Sequence, residues 1–225
     1  MKSKTKLKKP KRKNKTSLGI ETLVVGQLQT NCYLVFDKKT REAVIIDPGD
    51  DAEFIIQKIK DLDLKPQFIL ATHGHFDHIL GALELKLAFK IPFLVHKKDE
   101  FIVKRAGRTA DYFVKGESNL TPKIDKYIKE GDEIVFGKEG ELKVVETPGH
   151  SPGGVFFLNE GVCFSGDTLF KQAIGRTDYS YGSSKDLLES LKKIFKLPKE
   201  MIVYPGHGEV TIIEKEIKIL KGMIK

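Results

Sequence analysis

The sequence has no tryptophan, only two cysteines and three methionines, and no run of 18 apolar residues. The last absence rules out a membrane-spanning helix within these residues. Cys32 and Cys163 form no CxxC pair, and each sits inside an apolar run. That pattern excludes a disulfide scaffold and a cysteine zinc finger, and it leads us to expect a reducing, cytoplasmic compartment. What the chain does have suits a globular fold. At 225 residues, with 40% hydrophobic and 31% charged residues, roughly 70% of the unfolded surface can be buried without staples.

The formal net charge of +8 is unevenly distributed. Residues 1–16 carry nine of the 39 basic side chains and no acid, which leaves 30 basic residues against 31 acidic ones elsewhere. The body therefore has no electrostatic bias towards nucleic acid. With Met1 and Leu7 as its only apolar side chains before Leu18, the stretch 1–18 reads as a disordered basic tail ahead of a domain spanning 19–225. Contacts with nucleic acid or an anionic surface are expected only through that tail. It lacks the apolar centre of a secretory signal.

Beyond the tail the text alternates between β-rich runs and helical periods. Strands are predicted at Glu21–Val25, Cys32–Phe36, Ala43–Asp47, Gln67–Thr72 and Pro92–His96. Further strands are predicted at Glu133–Phe136, Leu142–Thr147, Val155–Leu158, Val162–Ser165 and Met201–Tyr204. Helices are predicted over Asp51–Leu62 with Phe54, Ile55, Ile59 and Leu62 on its face, from about His78 to Phe89, over Ser184–Phe195, and at the end of the chain. The stretch from Ala106 to Lys126, with Gly107, Gly116 and Pro122, reads as a long loop or lid. This alternation points to stacked sheets flanked by helices, an α/β class.

Three of the six histidines fall within His73-Gly74-His75-Phe76-Asp77-His78, directly after an apolar strand. A strand end followed by a tight turn aims several side chains into one small volume, as a metal requires. Imidazoles and a carboxylate without cysteine suit a divalent cation at an open catalytic site, with zinc first and iron or manganese as alternatives. His150 in Thr147–Gly154, Asp167 in Ser165-Gly166-Asp167-Thr168 and His207 in Pro205–Gly208 repeat one design: a strand, a turn of small residues, a potential ligand. His96 is left over and reads as structural.

In this order THGHFDH (72–78), TPGHSPGG (147–154), SGDTLF (165–170) and PGHG (205–208) resemble the metallo-β-lactamase-fold hydrolases, and within them the glyoxalase II branch. Thr30-Asn31-Cys32-Tyr33, Ile46-Asp47-Pro48-Gly49 and Gly175-Arg176-Thr177-Asp178 strengthen the resemblance. It implies an αββα sandwich, two mixed β-sheets with helices outside. It also implies a first metal on His73, His75 and His150, a second on Asp77, His78 and His207, and Asp167 bridging them. The implied activity is hydrolysis of a small thioester of the hydroxyacylglutathione kind by a metal-bridged hydroxide. Asp77 is the candidate to orient the attacking group, and Arg176 is the candidate to hold a substrate carboxylate unless it serves a structural salt bridge. The chain extends 18 residues past His207, which resembles the short single-domain members and leaves the thiol carrier open. Lys104, Arg105, Arg108 and Lys115 read as either a basic lid or a solvated loop. A mononuclear-iron persulfide dioxygenase on the same scaffold is the alternative; nucleic-acid processing through the tail is a second.

Overall fold

The computed structural model describes residues 18–114 and 121–223. The predicted tail, apart from Leu18, and Lys115 of the basic lid lie outside the described residues. Two six-stranded sheets dominate. The first runs β1 (Leu18–Val25), β2 (Thr30–Asp37), β3 (Glu42–Ile46), β4 (Lys65–Leu70), β5 (Phe93–His96) and β6 (Lys126–Ile128) in chain order. Its first three strands are antiparallel and the rest parallel. The second sheet uses β7 (Glu133–Phe136), β8 (Gly140–Glu146), β9 (Val155–Asn159), β10 (Val162–Gly166), β13 (Ile202–Pro205) and β14 (Thr211–Ile212), with β10 and β13 parallel and their other neighbours antiparallel. A hairpin of β11 (Leu169–Phe170) and β12 (Ala173–Ile174) stands apart.

Three separate hydrophobic cores explain the layering. Tyr33, Val35, Val44, Ile46 and Leu70 from the first sheet pack with Val144, Phe157, Val162 and Phe164 from the second, filling the space between the sheets. The alternate side chains of the same strands, Cys32, Leu34, Ala43 and Ile45, face the opposite way, towards Ile55 and Ile59 of α1 (Ala52–Asp61) and Leu85 of α2 (Ala82–Phe89). Behind the second sheet, Phe156, Cys163 and Val203 meet Leu187, Leu191 and Ile194 of α5 (Ser184–Ile194) and Leu220 of α6 (Ile213–Leu220). The central strands are thus buried on both faces, which is why they read as continuous apolar runs. The two mixed sheets with helices outside are the expected sandwich.

Several details differ from the sequence reading. Phe54, placed on the buried face of α1, is 47% exposed because it lies 100° from Ile55. Residues 76–78 form a 3₁₀ turn and α2 begins only at Ala82. The supposed loop from Ala106 contains a helix, α4 (Ala106–Val114), whereas α3 (Glu100–Val103) falls within Lys98–Arg105, a stretch whose sequence could be helical. Gly107 pointed to a loop, but it is accommodated inside α4, buried beside Ala106 and Ala110. Strands β6, β11, β12 and β14 were not foreseen, being only two or three residues long.

At the end of β2 Asp37 is fully buried, and its carboxylate accepts four backbone N–H bonds, from Lys39 (2.7 Å), Thr40 (3.2 Å), Lys138 (2.7 Å) and Glu139 (2.9 Å). It ties the β2–β3 turn to the β7–β8 turn. Burial would raise its pKa, but the four donors outweigh it and bring it down to about 2. A folded pKa below the unfolded value gives stability that is complete above the unfolded pKa and is lost as pH falls towards 2. Asp37→Asn is expected to cost about 1–3 kcal/mol at neutral pH. Urea unfolding at several pH values checks this, and the gap between wild type and variant should narrow below pH ~4.

Candidate metal centre

Every candidate ligand lies just beyond a strand, at one end of the sandwich. His73 and His75 follow β4, Asp77 and His78 sit on the 3₁₀ turn, His150 follows β8, Asp167 follows β10 and His207 follows β13. Their donor atoms form three overlapping groups: His73, His75 and His150; His73, His78 and Asp167; Asp77, His78 and His207. Within each group the atoms lie within 4.8 Å of one another. All seven expected residues are brought together.

Each imidazole is held by one nitrogen and presents the other to the shared volume. Outward contacts link His73 Nδ1 to Thr72 Oγ1 (3.1 Å), His75 Nε2 to the Tyr181 hydroxyl (2.8 Å) and His150 Nδ1 to the Arg176 carbonyl (2.8 Å). His78 Nδ1 meets Asp47 Oδ2 (3.0 Å), and His207 Nδ1 meets the Leu28 carbonyl (3.1 Å). Partners of this kind fix ring orientation and tautomer in metal sites. Inward, His75 Nδ1 lies 2.9 Å from His73 Nε2 and 3.0 Å from His150 Nε2, while His78 Nε2 and His207 Nε2 are 3.2 Å apart.

Asp167 supplies a direct test of whether a cation fits. Its Oδ1 is buried and accepts no hydrogen bond, with His78 Nε2 3.5 Å away, and a buried carboxylate is costly unless a cation meets it. Its two oxygens lie 3.5 Å from His78 Nε2 and 3.6 Å from His150 Nε2 respectively, so the carboxylate stands between the two histidine groups. A Cβ on residue 206 would overlap Asp167 Oδ1, so glycine there lets the His207 turn approach this closely. Imidazoles and carboxylates converging on one shared volume fit divalent metal ions.

Three supporting residues had no assigned role in the sequence reading. The Asn31 amide donates to the carbonyls of Pro205 (3.0 Å) and Gly208 (2.9 Å), pinning the His207 turn. Asp47, with a left-handed φ of 51°, accepts from Thr72 N (2.7 Å) and Thr72 Oγ1 (2.6 Å) besides touching His78. Tyr181 holds His75. Only the runs around Asn31 and Asp47 carried a signal, as part of the resemblance.

Arg176 lies at the rim. Its exposed guanidinium forms two 2.6 Å bonds to Asp178 and sits 4.9 Å above the Tyr179 ring, whose centroid is 5.0 Å from that of His75. His96 pairs with Glu146 (3.0 Å), matching its structural reading. Of the basic lid, Lys104 pairs with Glu100 (2.8 Å), Arg105 lies over Phe101 (5.9 Å), and Arg108 projects from α4.

A profile of the Metallo-beta-lactamase superfamily matches residues 25–207. The chain belongs to this superfamily. It is similar to the hydroxyacylglutathione hydrolase GloC of Haemophilus influenzae, 35% identical over 204 residues, 88% of this chain and 95% of that one. It is also similar to the mitochondrial persulfide dioxygenase ETHE1 of Mus musculus, 35% identical over 195 residues, 83% of this chain and 68% of that one. Among solved structures it resembles the BLEG-1 B3 metallo-beta-lactamase (TM-score 0.82, 37% identity, covering 89% and 97% of the two chains). It likewise resembles TTHA1623 in a di-iron-bound form (TM-score 0.80, 35% identity, covering 88% and 98%).

The electrostatics of this superfamily site follow from crowding. Burial first, then neighbouring imidazoles, push His73 well below its usual pKa and bring His75 down to about 3. Burial would also depress His78, but Asp167, Asp77 and Asp47 outweigh it and push it up to about 10. Burial would raise Asp77, yet His78, His207 and His75 hold it below the carboxylate range. His78 is therefore protonated at neutral pH before any cation enters, and a metal must displace that proton. Zinc uptake by chelator-stripped protein at pH 7 is expected to release protons, and apparent affinity to rise with pH towards 10. Calorimetry in buffers of different ionisation enthalpy checks both.

Proposed function

We propose that the protein hydrolyses a small thioester, of the hydroxyacylglutathione kind or of another low-molecular-weight thiol, using two divalent ions, zinc first. The observation that carries this reading is the seven-residue donor set with the Asp167 carboxylate between its two halves. The similarity to a hydroxyacylglutathione hydrolase supports the substrate class.

In this reading His73, His75 and His150 would hold one ion and Asp77, His78 and His207 the other, with Asp167 shared between the two groups. Ions bound there supply Lewis acidity and a hydroxide nucleophile at neutral pH. The rest is the work of the chain. Asp77, kept ionised by its histidine neighbours, would help hold the ion and orient the attacking group by accepting its hydrogen bond. Tyr179 and Tyr181 stack at 5.5 Å and 14°, forming a wall beside His75 against which a thiol carrier can lie. Arg176 anchors a substrate carboxylate by exchanging it for Asp178. The departing thiol, with a pKa of ~8.5, leaves as thiolate and needs no dedicated acid.

A panel of acyl thioesters, with a β-lactam included because of the resemblance to a B3 enzyme, tests the proposal. Metal-replete protein should turn over thioesters. Asp167→Asn should lose at least ~100-fold in kcat/KM, whereas Arg176→Ala should raise KM several-fold with little change in kcat. Absence of thioester hydrolysis, or a near-wild-type Asp167→Asn, would overturn it. The match to a persulfide dioxygenase favours one further reading, iron-dependent oxidation of a persulfide. Oxygen consumption with glutathione persulfide would reveal that activity.

A further inference from the structure

Asp99 lies outside every motif described so far. It ends the 3₁₀ turn Lys97–Asp99 that follows β5, and it is fully buried. Its Oδ2 accepts from Gly74 N (2.8 Å) and from Ser151 Oγ (2.7 Å), and its Oδ1 accepts from Gly153 N (2.6 Å). Gly74 stands between His73 and His75, and Ser151 directly follows His150. One buried carboxylate thus joins the two loops that carry the three-histidine group, across sequence separations of 25 and 52 residues. The backbone is shaped to admit it. A Cβ on residue 153 would lie 2.7 Å from Asp99 Oδ1, and one on residue 74 would lie 3.0 Å from the Asp99 carbonyl and 3.1 Å from its Cβ. Such contacts are tighter than ordinary van der Waals packing allows, so glycine at both positions leaves the two N–H groups open to the carboxylate.

The other half of the site has different supports. His78 rests on Asp47, and His207 rests on the Leu28 carbonyl and the turn pinned by Asn31. We infer that Asp99 is a positioning residue that sets the spacing of the His73–His75 loop against the His150 loop, and so governs the affinity of the three-histidine site selectively. This rests on the metal-binding reading above. Its chemistry is specific: the two backbone N–H groups can only donate, so a carboxylate satisfies every partner. An asparagine of the same shape would turn its NH₂ against a donor in either rotamer.

The test titrates chelator-stripped protein with zinc against a chromophoric chelator, resolving the number and affinity of sites. Wild type, Asp99→Asn, Ser151→Ala and Asp37→Asn are compared, the last being a buried carboxylate clamp at the opposite end of β2 from the site. Asp99→Asn should weaken one of two equivalents by about 10- to 100-fold, leaving the other within about threefold. Ser151→Ala, which removes a single bond, should weaken the same equivalent less. Asp37→Asn should change neither, even though it loses stability. Two wild-type-like equivalents in Asp99→Asn, or a parallel loss of both in a folded variant, would overturn the inference. If Asp99→Asn does not fold, Ser151→Ala decides, and wild-type zinc affinity there would overturn it. Wild-type protein that takes up no zinc would instead sink the metallohydrolase reading, and this inference with it.

Discussion

Five imidazoles and two carboxylates share one largely buried volume at the strand ends, and their mutual electrostatics constrain what surrounds them. Burial and imidazole–imidazole repulsion keep His73 and His75 neutral, whereas the surrounding carboxylates keep a proton on His78. Asp167 Oδ1 accepts no hydrogen bond and faces His78 Nε2 at 3.5 Å. Divalent ions would take the place of that proton, since neutral nitrogens and ionised carboxylates are the form in which ligands bind.

Holding such a cluster requires a rigid frame. Two sheets buried on both faces, with three separate cores, fix the strand ends, and the loops beyond them carry the chemistry. A second ring of hydrogen bonds then aims each side chain: Thr72 and Asp47 from the first sheet, Tyr181 and the Arg176 carbonyl from the segment before α5, Asn31 reaching across to the His207 turn. The ligands come from both sheets, so the site also depends on how the two sheets register. Asn31 makes that link directly, joining the start of β2 to the end of β13.

The candidate ligands and the sandwich were legible in the text because both leave periodic or clustered traces. Three histidines within six residues, and small-residue turns before His150 and His207, are dense local signals. Continuous apolar runs at Cys32–Phe36 and Val162–Ser165 marked strands buried on two faces. Asp99 and Tyr181 were illegible because a single polar residue carries no period, and its meaning lies in partners tens of residues away. The helix α4 was missed because Gly107 reads as a breaker, although the fold buries it between Ala106 and Ala110. Arg176 illustrates the remaining gap: a salt bridge was one of its two readings, but its partner, Asp178, depends on a local turn.

The central claim is that this donor set holds two divalent ions, and the most direct measurement is metal content per chain by elemental mass spectrometry on protein purified without chelator. Close to two equivalents are expected, mainly zinc or mixed zinc and iron. Protein without bound metal would contradict that claim outright. A single equivalent of iron alone would contradict the binuclear mechanism and favour persulfide oxidation.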